Sequence, residues 1–186
     1  MVEEKIDLID ENGKRTGKII WKSTAHKKGL LHLAVAIWVY NSKGEVLIQK
    51  RAANKEFFPN HWDISAAGHV GAGENIKVSA LRELKEEIGI EAKSRELKKF
   101  VVKKMSLADE KIGFYNNEFM HAYLYRFKGT IKELKLQKVE VKEIKFVPIK
   151  QLEAMIRNLE QFKEFVPHKK FFLETINTIK KELSKN

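Results

Sequence analysis

The sequence predicts an α+β domain in which a central mixed sheet lies between helices, an α/β/α sandwich. Three observations predict this class. Short runs rich in β-branched and aromatic residues are typical of strands, three longer amphipathic segments are typical of helices, and the two kinds of segment do not alternate regularly. A length of 186 residues with 43% hydrophobic residues suits one domain, so we expect a single domain over residues 1–186.

The first half of the chain predicts mainly strands. Turn-forming and charged segments separate its apolar runs, which lie at residues 4–9, 18–21, 33–40, 45–51 and 62–67. The turn Glu11-Asn12-Gly13-Lys14 lets the first two runs pair as a hairpin, so residues 1–30 are expected to form an N-terminal β extension. The run from Leu33 to Tyr40 is almost continuously apolar, as in a buried strand.

The second half predicts one clear helix, further strands and two closing helices. Residues 75–88 have helical periodicity and end at Gly89, a residue type that commonly terminates helices. Further strands are expected within residues 100–127 and 143–147, and two helices are expected at residues 149–159 and 167–183. The last of them gives the domain a C-terminal helix within residues 160–186.

Composition narrows the classes of function. The chain has no Cys, which excludes disulfides, zinc–thiolate sites and Cys nucleophiles. No apolar run approaches the ~20 residues of a membrane-spanning helix, and the charged N-terminus does not resemble a secretory signal, so we expect a cytoplasmic protein without a membrane partner. The net charge of +11 comes mainly from scattered Lys residues, which indicates attraction of small anions rather than a nucleic-acid partner. A homodimer is left open.

The strongest chemical pattern is a Gly-rich loop followed directly by an acidic helix. Glu83, Glu86 and Glu87 are spaced i, i+3 and i+4, so their carboxylates fall on one side of the helix. A neighbouring apolar stripe would dock this helix on the sheet, and it comprises Ile76, Ala80, Leu84 and Ile88. Like charges at the edge of a buried face favour a hard divalent cation with oxygen ligands. The alternative is a solvated acidic face without a ligand.

The whole segment resembles the Nudix box, whose pattern is G-x5-E-x7-R-E-U-x-E-E-x-G-U, with U aliphatic. Every specified position is matched, in order by Gly68, Glu74, Arg82, Glu83, Leu84, Glu86, Glu87, Gly89 and Ile90. The resemblance implies the Nudix fold. It also implies a Mg²⁺- or Mn²⁺-dependent pyrophosphohydrolase that cuts a diphosphate linkage in a small phosphorylated substrate.

The resemblance assigns a role to each residue. The metal ligands would be the backbone carbonyl of Gly68 and the carboxylates of Glu83, Glu86 and Glu87. Glu86 and Glu87 are also expected to be catalytic, because a carboxylate near the metal serves as general base. Arg82 and Glu74 would hold the acidic cluster in place by ion pairing.

From about Ile6 to Ala92 the chain is also similar to type I isopentenyl-diphosphate isomerase and to the Nudix hydrolases nearest to it. The similarity covers the stretches 26–32, 58–62 and 67–69, and a further match lies at Asn117-Glu118. It implies a second metal site at His26, His32 and His69, with Glu118 as a catalytic or metal-binding residue. The alternative for each His is a structural hydrogen-bonding residue.

Two positions depart from the isomerase pattern. Ala67 stands where the isomerase has its Cys acid/base, and Asn116 stands where it has another acidic ligand. Since Ala67 cannot move a proton at carbon, hydrolysis is favoured over isomerisation. The two alternatives kept are an isopentenyl-diphosphate isomerase and a non-catalytic Nudix-fold binding protein.

Other residues carry weaker expectations. Arg51 could bind a substrate phosphate bidentately or form a surface ion pair, and Glu118 could equally be a strand-end charge. Trp62 is expected to pack under the acidic helix, and Phe57 and Phe58 are expected to pack in the core. The loops carry no specificity motif. The default substrate is therefore the one that the resemblance to the Nudix family implies, a nucleoside diphosphate derivative or a similar small molecule.

Overall fold

A computed structural model describes residues 3–185 and shows a mixed sheet with helices on both faces. Its strands are β1 (Lys5–Ile9), β2 (Arg15–Trp21), β3 (His32–Tyr40), β4 (Glu45–Arg51), β5 (Trp62–Asp63), β6 (Ala66–His69), β7 (Lys98–Asp109), β8 (Phe114–Arg126) and β9 (Val141–Pro148). Its helices are α1 (Lys22–Lys28), α2 (Ile76–Ile88), α3 (Ile149–Arg157), α4 (Leu159–Phe162) and α5 (Lys169–Leu183). None of these described helices has the length and apolar character that crossing a bilayer requires. Met1, Val2 and Asn186 of the predicted domain lie outside the described residues.

Strand β3 occupies the centre of the sheet. On one side it runs parallel to β8, with His32 opposite Glu118, and β8 continues into an antiparallel hairpin with β7. On its other side β3 pairs antiparallel with β6, while β4 extends the sheet to β5 and β9. The predicted N-terminal hairpin is present as β1 and β2. Parallel and antiparallel pairs therefore coexist, which confirms the predicted mixed sheet.

The residues of β3 alternate between two apolar cores. Ala34, Ala36 and Trp38 face one core together with α3 and α5, and the intervening residues face a second core together with α2. This alternation follows from the period of two residues in a strand, and it places helices on both faces of the sheet. In β8, Met120, Ala122 and Leu124 face the core of α3 and α5, and strand alternation puts Glu118 on the same side.

The predicted strand over 62–67 is wrong, because the segment forms two strands with a break at Ile64 and Ser65. Strand β5 pairs with β4, whereas β6 pairs with β3, so the chain changes partners between them. At the break, the fully buried hydroxyl of Ser65 accepts from the N–H of Val39 at 2.8 Å and donates to the carbonyl of Leu47 at 2.6 Å. This hydroxyl replaces the backbone ladder where β3 and β4 diverge.

Three further expectations are corrected by the structure. Trp62 is buried in the core of α3 and α5, on the sheet face opposite α2, so it does not pack under the acidic helix. Phe57 and Phe58 are only half-buried, and Phe57 lies against the buried ring of Phe114. The expected β extension over residues 1–30 is only partly β structure, because residues 22–28 form helix α1. This helix was not predicted, because only Ala25 in it is buried and the segment carries no apolar periodicity.

The packing of α5 generates a stability prediction. Phe172 is fully buried and its ring meets that of Trp38 edge-on, with 5.0 Å between centroids, so Phe172→Ala should lower the free energy of unfolding by about 3–5 kcal/mol. Leu159→Ala, at a residue 72% exposed, should change it by less than about 0.5 kcal/mol. Urea unfolding followed by circular dichroism measures both. A loss below about 1 kcal/mol for Phe172→Ala would contradict a single domain that includes the C-terminal helix.

Candidate active site

Helix α2 is fixed at both ends by its caps. The side chain of Asn75 accepts from the backbone N–H of Lys77 at 2.9 Å, which satisfies a free donor of the first turn. Gly89 ends the helix in the left-handed conformation at φ +75°, and a Cβ there would lie 2.8 Å from the backbone nitrogen of Lys135. That nitrogen donates to the carbonyl of Ile88 at 3.1 Å. A residue larger than Gly would therefore separate this loop from the helix.

The three acidic residues of α2 differ in burial. The apolar stripe lies against the sheet as predicted, with Ala80, Leu84 and Ile88 fully buried and Ile76 packed at its edge. Glu83 and Glu87 flank this stripe and are 8% and 6% exposed, whereas the side chain of Glu86 is 48% exposed. The carboxylates at 83 and 87 thus point into the protein, and the one at 86 points into solvent.

Glu83 packs directly over the backbone of Gly68 in β6. A Cβ added at Gly68 would lie 2.1 Å from Glu83 Oε1, so any other residue would displace the carboxylate. Glycine at 68 is required here for close approach and not for an unusual backbone angle. The structure therefore brings the backbone of Gly68 and the carboxylate of Glu83 together.

Arg82 connects the loop to the helix. Its Nη1 donates to Glu83 at 2.6 Å and to Glu86 at 3.1 Å, while its Nε and Nη2 each donate to Glu74 at 3.1 Å. Nη2 also donates to the backbone carbonyl of His69 at 3.0 Å. Glu74 in turn accepts from the N–H of Gly71 at 3.1 Å. Both residues occupy the positions that the predicted ion-pairing role requires.

The carboxyl groups of Glu83 and Glu87 lie in a buried place where ionisation is unfavourable. Burial raises the pKa of Glu87 to about 8, and the neighbouring charge of Glu83 adds to this effect. Burial also raises the pKa of Glu83 to about 7, against the opposing effect of Arg82. Such a pair of oxygen donors is short of positive charge, which fits a hard divalent cation.

A second cluster lies beyond the short strand β6. His26 from α1, His32 from β3 and His69 from β6 each offer a ring nitrogen, and these atoms all lie within 4.8 Å of one another. Every second residue of a strand, and the residue opposite it in the next strand, share a face of the sheet. His32 and His69 therefore lie on the side of α3 and α5, together with Ala34, and Gly68 lies on the other side. The predicted trio is therefore assembled by three separate elements.

The protonation states of the three histidines suit the binding of a metal ion. Burial lowers the pKa of His26 to about 3 and the pKa of His69 well below 6.5. The charges of the neighbouring His residues lower both pKa values further. The Nδ1–H of His32 donates to the carbonyl of Leu30 at 2.8 Å, so Nε2 carries the free lone pair. This buried Nε2 has no hydrogen-bond partner among residues 3–185. Neutral imidazoles with free lone pairs are the form that binds metal ions.

Glu118 belongs to the histidine cluster and is not a strand-end charge. It lies within β8, is 7% exposed, and its Oε1 is 3.5 Å from His69 Nε2 and 3.9 Å from His32 Nε2. Burial raises the pKa of Glu118. A carboxylate in this position supplies the negative charge that three neutral imidazoles lack.

Arg51 is partly buried and is not a simple surface ion pair. Its Nη1 donates to Asp63 at 3.2 Å and its Nε donates to the carbonyl of Phe57 at 3.0 Å. These contacts hold the guanidinium at the end of β4, on the side of α2. Residue 63 was missed from the sequence, because its register opposite Gln49 depends on the short strand β5.

Two lysines and a glutamine were also missed. Burial lowers the pKa values of the three histidines most, and the charge of Lys22 lowers them further. The charge of Lys55 also lowers the pKa of His69. Lys55 forms an ion pair with Glu140. Gln49 lies two residues before Arg51 on β4 and donates to Glu87 at 3.1 Å. Strand alternation from Arg51 is the one signal that could have indicated it.

The family assignment comes from comparison with known proteins. Residues 30–169 match the model of the NUDIX domain family, which is most of the chain. The chain belongs to the Nudix family. A protein named as an uncharacterized Nudix hydrolase from Listeria monocytogenes is 35% identical over 95% of both chains. Nudix hydrolase 3 of Arabidopsis thaliana is 34% identical over 81% of this chain, a match that spans only 20% of the Arabidopsis protein.

The predicted relationship to isomerases and the predicted fold are confirmed. Isopentenyl-diphosphate Delta-isomerase 2 of Photorhabdus laumondii is 32% identical over 84% of each chain. A crystal structure of DR0079 from Deinococcus radiodurans shares the fold, with a TM-score of 0.62 and 24% identity over 83% of this chain and 89% of that one. The Nudix protein is an enzyme of the pyrophosphohydrolase class.

The buried carboxylates of the Nudix protein generate a pH prediction. The folded-state pKa of Glu87, about 8, lies above its ordinary value of 4.5, so the metal-free folded state holds a proton that the unfolded state releases. The stability that comes from this retained proton is fully present below about pH 4.5 and is lost as the pH rises through about 8. Glu87→Gln should therefore lose less stability than the unmodified protein between about pH 5 and pH 8.

Urea unfolding in excess chelator measures this difference, and Glu164→Gln, at an exposed position, is the matched control. Equal losses of stability in all three proteins would show that Glu87 ionises normally in the fold.

Proposed function

We propose that the protein hydrolyses a diphosphate linkage in a small phosphorylated molecule and that Mg²⁺ or Mn²⁺ binds at α2. The observation that carries this proposal is the buried pair of Glu83 and Glu87 beside β6. Glu83 lies over the bare backbone of Gly68, and Glu87 accepts from the backbone N–H of Ala67 at 3.1 Å. Glu83, Glu86, Glu87 and the carbonyl of Gly68 are the proposed ligands. When bound, the ion neutralises diphosphate oxygens and lowers the pKa of a water molecule.

Each protein residue has a separate task in this proposal. Arg82 and Glu74 hold the loop against the helix, so the carboxylates stay in place while the substrate arrives. The candidate proton acceptors are Glu86, Glu87 and Glu118. Glu86 is favoured because its side chain is half exposed and water reaches it directly.

The surroundings of the site attract an anionic substrate. Arg51, Lys22 and Lys55 all lie near the two clusters, and the chain carries a net charge of +11. A guanidinium held by Asp63 and Phe57 is presented in a fixed direction, which suits bidentate binding of a phosphate. These cations support Arg51 as a substrate-binding residue.

A cleft next to His26 can accept the part of the substrate beyond the diphosphate. The cleft has a volume of about 380 Å³ and lies between α1 and the β7–β8 turn, with a lining of Ser23, His26, Lys27, Glu56, Ile112, Gly113 and Phe114. An aromatic ring beside polar groups suits a base and its sugar, which supports a nucleoside diphosphate derivative as substrate. The cytoplasmic location stays a prediction.

Phosphate release from a panel of substrates tests the proposal. The panel contains nucleoside di- and triphosphates, dinucleotides, ADP-ribose and isopentenyl diphosphate. Hydrolysis should require Mg²⁺ or Mn²⁺, and Glu86→Gln and Glu87→Gln should each lower kcat at least about a hundredfold, because a lost charge-stabilising group typically costs ~2.7–4 kcal/mol. Glu91→Gln, at the exposed partner of Lys85, should keep near-normal activity.

Full activity in excess EDTA, or normal rates in both variants at 86 and 87, would sink this mechanism. Conversion of isopentenyl to dimethylallyl diphosphate would instead establish the isomerase alternative, with a residue other than Cys acting on carbon.

We further propose that the histidine cluster binds a second metal ion. The specific observation is the geometry of His26, His32 and His69, joined by the buried carboxylate of Glu118. Three imidazoles and one carboxylate form a donor set that suits Zn²⁺ and related ions. The free Nε2 of His32 and the depressed pKa values of His26 and His69 agree with this use.

Calorimetric titration with Zn²⁺ tests the second site. Glu87→Gln serves as the background because it weakens the site at α2, and this variant should bind one Zn²⁺ per chain with the histidine ligands. Adding His69→Ala should abolish that binding, whereas adding His61→Ala, at a loop residue outside the cluster, should not. Equal binding with and without His69 would refute the second site.

A further inference from the structure

Gln49 of β4 reaches the acidic helix across the interior of the protein. It is 3% exposed, and its Nε2 donates to Glu87 Oε2 at 3.1 Å. The same oxygen accepts from the backbone N–H of Ala67 in β6, also at 3.1 Å. One oxygen of the Glu87 carboxylate is thus held by donors from two strands, although Glu87 itself belongs to a helix.

The amide of Gln49 has a defined orientation with an unused acceptor. Its nitrogen faces Glu87 Oε2, and the reverse orientation would place two oxygen acceptors against each other whenever Glu87 is ionised. Its carbonyl oxygen, Oε1, is buried and has no hydrogen-bond partner among residues 3–185. Leaving a buried acceptor unpaired is unfavourable, so a donor that enters the site would be stabilised by this oxygen.

The sheet holds Gln49 in place. Strand β4 has neighbours on both sides at this position, with Gln49 opposite Asp63 of β5 and opposite Ile144 of β9. Because side chains two residues apart in a strand share a face, Gln49 lies on the same face of β4 as Leu47, which packs in the core of α2. Arg51, two residues later, shares this face. Gln49 is therefore displayed by a rigid strand toward the same site as the proposed substrate-binding Arg51.

We propose that Gln49 is a positioning residue for the hydrolysis. Its N–H fixes Glu87 Oε2, which leaves Oε1 of Glu87 for the metal ion, and its own carbonyl oxygen accepts a hydrogen bond from a water molecule in the site. This inference rests on the proposed function, since it concerns the same carboxylate. Partners that orient a metal ligand in this way typically change metal affinity or activity 10–100-fold when they are replaced.

The test is Gln49→Met, which keeps the length of the side chain and removes both hydrogen-bonding groups. Binding of Mn²⁺ without substrate is followed by the electron paramagnetic resonance signal of the free ion, and the site at α2 is defined as the one that Glu87→Gln removes. Gln49→Met should raise the Kd of this site about tenfold or more. With the substrate found in the panel, kcat should fall about tenfold and KM should change less than about twofold.

Gln151→Met, at an exposed position of α3, is the matched control and should behave as the unmodified protein. If Gln49→Met does not fold, Gln49→Asn replaces it, because its amide stops one methylene short of Glu87 and should weaken Mn²⁺ binding in the same direction. Mn²⁺ affinity and kcat within twofold of normal in a folded variant would overturn the role of Gln49 alone. Absence of any Mn²⁺ site sensitive to Glu87 in the unmodified protein would overturn the proposed function as well.

Discussion

The guanidinium of Arg82 is the group on which the arrangement of the site depends. It contacts the loop through Glu74 and the carbonyl of His69, and it contacts the helix through Glu83 and Glu86. Without this planar donor, carboxylates from two segments would face each other in a partly buried space, where removing one partner of a charge network typically costs 3–5 kcal/mol. A Lys could not replace it, because an ammonium lacks the fork that reaches several acceptors in fixed directions.

The sheet turns a local alternation of side chains into two neighbouring clusters. Within β6, Gly68 faces α2 and Glu83, while Ala67 and His69 face the opposite side. The carboxylate cluster and the histidine cluster are therefore separated by a single strand and share its backbone. Ala67, one of the two positions that depart from the isomerase pattern, lies on the histidine side of this strand.

The sequence predicted the parts of the site that local spacing encodes. Helix α2 and its end at Gly89 follow from residues close together in the chain. The role of Arg82 came from the resemblance to the Nudix box, and the trio of His26, His32 and His69 came from the resemblance to isomerases. Gln49 and Asp63 escaped prediction, because alternation from Arg51 was the one signal for Gln49 and the register of Asp63 depends on the short strand β5. The sheet face of Trp62 was wrong because it depends on the break at Ser65, where a side chain replaces ladder hydrogen bonds.

The parallel pairing of β3 with β8 has a consequence for how the protein folds. His32 and Glu118 are neighbours in the sheet but lie far apart in the sequence, so their contact closes a long loop. Chains dominated by such distant pairings fold slowly, in milliseconds to seconds. During synthesis, the histidine cluster cannot be completed until Glu118 and the rest of β8 have left the ribosome. Every residue of α2 emerges before Glu118, so the carboxylates of the site are synthesised before the last member of the histidine cluster.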